Sequence, residues 1–182
     1  MQTLIRKVGG REKARAAIGA TAEGLGLGSA EVGQVLLALA LCESGMSPEE
    51  VSKQLDWKEF ERFCAGAFRT WGFVVRENVV LTKPRAQIDL LAYGSTMILS
   101  VDCKHYAREP GPSALAAFAK AQLKRSSLLR AKTDDPRPIA SIILSMSETE
   151  GRFVEGVAVV PIRTLRSLLT TVDSYSAMLD LR

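Results

Sequence analysis

Between Gln87 and Tyr106 the sequence runs QIDLLAYGSTMILSVDCKHY, an apolar stretch that nevertheless holds Asp89, Asp102 and Lys104. A charge in an apolar strand costs free energy unless something compensates it. Gly94-Ser95 fits a two-residue hairpin turn with glycine first. That turn sets residue 89 opposite residue 100 and makes Asp102 its diagonal neighbour on the same face, roughly 7–8 Å away and within reach of one shared cation. Lys104 falls on that face by period-2 alternation, whereas Val101 and Cys103 turn the other way into apolar packing. Oxygen ligands of this kind suit a hard divalent cation, Mg²⁺ or Mn²⁺, which keeps several waters. Such a cation would acidify a bound water and neutralise phosphate charge, and Lys104 would orient the water or stabilise charge developing on a phosphoryl group. A buried Asp–Lys pair that merely satisfies itself is the plain alternative.

The elements that must carry these residues follow from patterning. DWKEFERFCAGAFRTWGF places Trp57, Phe60, Cys64, Phe68 and Trp71 at helical spacing, with Gly72 as the stop. Glu61 falls on that apolar side and Glu59 on the wet side, so Glu61 is the acid able to join Asp89 and Asp102 over the sheet. Strands are expected over FVVRENVVL, QIDLLAY and MILSVDCK, then a helix capped near Ser113, the buried strand IASIILSM, a polar loop SETEGRFVEG, the strand VAVVP and a closing helix. After residue 56 the order is α-β-β-β-α-β-β-α, a mixed sheet with helices packed against it. Ahead of it, SAEVGQVLLALALCES reads as a helix, Gly45 as its stop, and Ser47, Pro48 and Glu49-Glu50 as the start of another. Residues 1–55 are read as a helical appendage for packing or dimerisation and residues 56–182 as the main domain.

Charge distribution narrows the partner. The chain has 182 residues and a net charge of +4. Residues 56–138 hold fourteen basic and nine acidic side chains, whereas residues 1–55 are neutral and residues 139–182 carry −1. A basic middle around an acidic cluster suits a polyanion approaching a metal site. Lys120 and Lys124 share a helix face at i,i+4 spacing and would track phosphates. His105 is the only histidine and falls on the opposite strand face, which argues against zinc catalysis or a Ser-His-Asp hydrolase. Three scattered cysteines without a CxxC pattern suit a reducing compartment. No segment has the length and apolarity of a membrane span. A cytoplasmic protein is expected.

FERFCAGAFRTWGF followed by QIDLLAYGSTMILSVDCKHY resembles the PD-(D/E)xK nuclease superfamily, in the branch of Mrr-type restriction endonucleases and archaeal Holliday junction resolvases. The resemblance spans about residues 56–162. It implies an α/β, restriction-endonuclease-like core, α-β-β-β-α-β, with a mixed central sheet flanked by helices and the N-terminal helical appendage outside it. It also implies a metal-dependent DNA endonuclease acting as a homodimer. Glu61 then matches the helix glutamate, Asp89 the central metal-binding aspartate, and Asp102 and Lys104 the (D/E)xK pair, with the Cys103 backbone carbonyl as a further metal ligand. Ile88 replaces the motif proline, and Asp102 stands where glutamate is commoner. Gln122 and Arg125 fall where related nucleases place a polar DNA contact. A nuclease-like core that binds nucleic acid without cutting is the alternative, and a regulator reading DNA with residues 30–55 a weaker one.

Overall fold

The computed structural model describes residues 38, 41, 45–53, 55–106, 110–146 and 151–175. The first complete element is a short helix, α1 (Pro48–Ser52). Gly45 precedes it at φ +98°, and Ser47 Oγ accepts the Glu50 amide at 3.5 Å. α2 (Trp57–Thr70) opens on a capping box: Asp56 Oδ1 accepts the Glu59 amide and Glu59 Oε2 accepts the Asp56 amide, both at 2.8 Å. It ends in a Schellman motif, with Gly72 at φ +84°. The Gly72 amide donates to Arg69 and the Phe73 amide to Phe68, while the two phenylalanine rings meet edge-on at 5.7 Å.

The buried side of α2 consists of Phe60, Phe63, Cys64, Ala65, Gly66 and Phe68. The expected apolar stripe is thereby corrected at both ends. Trp57 is 57 % and Trp71 40 % exposed, because both stand at the helix termini, beside the cations of Lys58 and Arg166 respectively.

Six strands follow: β1 (Val74–Leu81), β2 (Ala86–Tyr93), β3 (Ile98–Lys104), β4 (Ile139–Ser145), β5 (Arg152–Val154) and β6 (Val157–Pro161). They form one mixed sheet in the order β1-β2-β3-β4-β6-β5. The β1–β2, β2–β3 and β5–β6 pairs are antiparallel; β3–β4 and β4–β6 are parallel. The crossover from β3 to β4 is α3 (Pro112–Arg130), which starts after Gly111 with Pro112 in its first turn, so the cap expected near Ser113 lies two residues earlier. A 3₁₀ turn (Ile162–Thr164) leads into α4 (Leu165–Tyr175). β5 was not expected. It occupies part of the polar loop SETEGRFVEG and turns into β6 through Glu155-Gly156, both at positive φ as a type I′ hairpin requires.

Helices cover both faces. Phe60, Phe63 and Phe68 of α2 pack with Leu90, Leu99, Val101 and Ile142, and the same cluster takes in Leu165 and Leu169 of α4. On the other face Leu115, Ala119 and Leu129 of α3 meet Ile143, Val159 and Leu91. Ala38, Leu41, Val51 and Leu55 belong to the α2-side cluster. These described residues of the expected appendage thus share the core of the sheet, and the rest of residues 1–37, like most of the helix expected over 29–44, lies outside the described residues.

The β2–β3 hairpin differs from expectation in a way that matters for the site. Leu90 pairs with Val101 and Leu91 with Ser100, and the Gly94 amide donates to the Met97 carbonyl at 2.9 Å. The turn is therefore centred on Ser95-Thr96, one residue later than Gly94-Ser95, and the register shifts by two. Gly94 serves another purpose: a Cβ there would lie 2.8 Å from Phe73 Cε1. A shift of two preserves facing, since strand side chains alternate with period 2.

Candidate active site

The site forms where the ladders loosen. β1 pairs Glu77 with Leu90 and Val79 with Ile88 but skips Asn78 and Asp89 between them, and Asn78 adopts a left-handed conformation at φ +51°. Across this break the buried side changes over. Val75, Leu90 and Ala92 pack in the α2-side cluster, whereas Val79, Leu81 and Ile88 pack in the cluster that contains Leu129 of α3. Asp89 sits at the changeover. Continued by one residue, the β2–β3 register sets it directly opposite Asp102, and its Oδ2 accepts the Cys103 amide at 2.8 Å. The carboxylate has taken the place of a ladder carbonyl. Burial pushes the Asp89 pKa up, the Cys103 amide opposes the shift, and the neighbouring Asp102 charge adds to it.

Asp102 is 3 % exposed. Its Oδ2 lies 2.8 Å from Lys104 Nζ and its Oδ1 3.2 Å from an Arg125 guanidinium nitrogen. The Lys104 contact is close but out of line for a hydrogen bond, so Oδ2 is a buried carboxylate oxygen with no hydrogen-bond partner among the described residues. Lys104 is partly buried, its ammonium 5.2 Å from the Phe118 ring centre.

Glu61 continues the helix row of Ala65 and Phe68, which are fully buried, and is itself half-buried. Its pKa is pushed up to about 7, first by burial and then by Asp89, Glu77 and Asp102, with Lys104 opposing. Asp89, Asp102 and Lys104 are therefore all near enough to act on Glu61. Glu59 is spent on the capping box.

Other expected residues divide. Gln122 is fully buried and donates to Ser100 O at 2.7 Å and Ser100 Oγ at 3.1 Å. The expected nucleic-acid contact is corrected here: no surface of Gln122 is left to offer, because its amide ties α3 to β3. Arg125, also expected to touch nucleic acid, turns inward to Asp102. Lys120 and Lys124 are exposed, and Lys120 lies 3.9 Å from Glu155. Cys103 turns its thiol toward Cys64, and that contact together with burial holds the thiol well above its ordinary pKa. His105 packs on Phe60 with ring centres 5.3 Å apart, its Nε2 3.4 Å from the Ser52 carbonyl, on the α2 side. Sequence reasoning missed the Arg125–Asp102 ion pair. Its signal was the i,i+3 spacing of Gln122 and Arg125, which puts both on one helix face.

The donors suit a divalent cation. Asp102 Oδ2 is buried without a hydrogen bond, with only the Lys104 ammonium beside it, and Asp89 lies on the neighbouring strand, so a divalent cation would add a second partner for this oxygen. Among the described residues no group of three or more His, Cys, Asp or Glu side chains is placed to hold a metal by itself. Mg²⁺ does not require such a cage, because it is commonly held by one or two carboxylates, water and substrate phosphate.

Residues 52–129, which contain α2, the acids of the β2–β3 hairpin, Lys104 and most of α3, match the family model described as restriction endonuclease, the Mrr catalytic domain. The chain resembles the Mrr-type restriction endonucleases. Its six-stranded mixed sheet flanked by helices is the architecture of a restriction-endonuclease-like fold. A search of the curated proteins finds no match. Among solved structures, protein VC1899 from Vibrio cholerae aligns at 14 % identity and a TM-score of 0.41, over 100 % of this chain and 57 % of that one. The chain thus spans little more than half the length of that structure, and a likeness so distant says nothing about activity. The matched segment contains Asp89 on β2 and Asp102 and Lys104 on β3.

Proposed function

We propose that the protein is a metal-dependent endodeoxyribonuclease, hydrolysing DNA phosphodiesters in repair, recombination or restriction. The observation that carries this reading is the buried, unbonded Asp102 Oδ2, set between Lys104 and the strand position of Asp89 inside a segment that matches a restriction endonuclease. Asp89 and Asp102, with Glu61 and the Cys103 carbonyl, would hold Mg²⁺ or Mn²⁺. When bound, the cation supplies Lewis-acid polarisation of a phosphoryl oxygen and a more acidic water.

The chain's own residues do the rest. Glu61, whose pKa burial and the neighbouring acids push up to about 7 in the metal-free chain, would join Asp89 and Asp102 as a ligand, and the cation's charge would bring it back to the carboxylate form. Lys104 carries its charge against the phosphoryl oxygens on which negative charge develops. The exposed Lys120 and Lys124 track the backbone of the duplex.

The protein is further proposed to work as a homodimer in the cytoplasm, since one site cuts one strand and two facing sites cut both. Cys64 and Cys103 are free thiols, as a reducing compartment requires, and among the described residues no helix is long and apolar enough to cross a membrane.

A panel of linear, flapped, four-way and modified DNA, and of RNA, incubated with Mg²⁺, Mn²⁺ or EDTA tests the reading. Cleavage of DNA with either cation and none in EDTA is the expected result. DNA binding without cleavage on every substrate would replace the nuclease with a binding protein on a nuclease-like core.

A further inference from the structure

Four polar side chains close a ring between β3 and α3. Ser100 and Asp102 stand two residues apart on one strand face; Gln122 and Arg125 stand three apart on the helix above. Gln122 Nε2 donates to Ser100 O at 2.7 Å and to its Oγ at 3.1 Å. Gln122 Oε1 accepts from Arg125 at 3.0 Å. The same guanidinium nitrogen lies 3.2 Å from Asp102 Oδ1. Gln122 is fully buried and Ser100 likewise, while the Arg125 side chain is 27 % exposed.

The amide of Gln122 has no freedom in this arrangement. Its nitrogen is committed to Ser100, so its oxygen must face Arg125, and a guanidinium held at one nitrogen presents a fixed plane to the carboxylate beyond. Arg125 thereby reaches Asp102 at Oδ1 alone, through an ion pair of 3.2 Å, while Oδ2 has the shorter ion pair, 2.8 Å, with Lys104. Oδ2 is also the oxygen left without a hydrogen bond, the Lys104 contact being out of line.

We propose that Arg125 is a positioning residue: clamped by Gln122, it holds Asp102 Oδ1 and thereby turns Oδ2 toward the site of the cation. This rests on the metal-dependent reading above. Without Arg125 the Asp102 carboxylate is free to rotate onto Lys104 with both oxygens, and the oxygen meant for the cation is lost. Partners of this kind, which orient a ligand without touching the metal, change metal affinity by about 10–100-fold when removed.

The sign of the effect separates this role from the other two an arginine could have here. A simple counter-ion repels the cation, so its removal tightens metal binding. A DNA contact leaves metal binding in the absence of DNA unchanged. The test is Mn²⁺ binding to the full-length chain without nucleic acid, followed by electron paramagnetic resonance, for the parent, Arg125→Ala and Arg125→Lys. Thermal melts establish that each variant folds. Arg125→Ala is expected to bind Mn²⁺ about tenfold or more weakly, with affinity recovered on adding guanidinium chloride at low millimolar concentration. Arg125→Lys, which keeps the charge but cannot bridge Gln122 and Asp102 with one planar group, is expected to fall between the two. Equal or tighter Mn²⁺ binding by Arg125→Ala overturns the positioning role while leaving the metal-dependent reading intact. A parent chain that binds no Mn²⁺ defeats that reading itself, and the positioning role with it. Should Arg125→Ala not fold, Arg125→Lys decides, since a counter-ion or a DNA contact would leave its Mn²⁺ affinity at the parental value.

Discussion

Asp89 and Cys103 are joined by a hydrogen bond from the Cys103 amide to the Asp89 carboxylate, 2.8 Å long, across strands whose regular pairing has stopped one residue earlier. A side chain completes the backbone bonding of the strand that carries Asp102 and Lys104. Asp89 thus has a structural role beside the metal-binding one proposed for it, and substitutions separate the two. Asp89→Asn keeps an acceptor for the amide, so the fold should persist while cleavage falls at least a hundredfold. Asp89→Ala leaves the amide without its partner and should be less stable than Asp89→Asn by about 1–3 kcal/mol. Urea unfolding of both variants, beside a cleavage assay, checks this.

Glu61 makes stability depend on pH. Its folded pKa is about 7 against an ordinary 4.5, so the folded chain holds a proton that the unfolded chain releases. Stability from this group is complete below about pH 4.5, declines as pH rises to 7, and is constant above. Glu61→Gln removes the penalty. In EDTA the variant should melt above the parent at pH 8, and the two should coincide near pH 4. A parent as stable as the variant at pH 8 would place Glu61 away from Asp89 and Asp102.

The two candidate helix acids part on different measurements. Glu59 closes the capping box, and Glu59→Gln retains that geometry. It should leave both cleavage and stability near parental values, whereas Glu59→Ala should cost about 1 kcal/mol through the lost hydrogen bond. Glu61→Gln should reduce cleavage strongly. Equal losses of cleavage from the two glutamine variants would contradict the assignment.

Much of this site was legible in the sequence because its logic is parity. Asp102 and Lys104 had to share a face whatever the turn, and the displaced turn at Ser95-Thr96 moved the register by two without disturbing that face. Gly94 misled because glycine answers two demands. It permits a turn, and it permits close approach, here of the Phe73 ring. The tryptophans misled because periodicity identifies a helix face but not where the sheet beneath it ends. β5 escaped notice since Arg152-Phe153-Val154 is short and largely exposed at a sheet edge, although Glu155-Gly156 was a readable turn. The break at Asn78 and Asp89 depends on tertiary packing of both layers, which no local pattern encodes. The ring through Gln122 and Arg125 needed the crossover of α3 over β3 to be known.

Assembly is tested on the full-length chain by light scattering at micromolar concentration. A mass twice that of the chain is expected. Because Ala38 and Leu41 lie in the shared core, a chain shortened to begin near Ser47, which lacks both, should lose stability as well. A parental melting temperature after that truncation would show that these residues do not matter to the core.

The central claim is that Asp89 and Asp102 hold one cation, and Fe²⁺ reports the place of such a cation directly. With ascorbate and peroxide, Fe²⁺ in the site generates hydroxyl radicals that cut the nearby backbone, and the fragments are read by mass spectrometry. The account predicts cuts around residues 88–90 and 102–104, suppressed by excess Mg²⁺ and absent from Asp102→Asn. A chain that stays intact, or one cut elsewhere with the same pattern in Asp102→Asn, would contradict it.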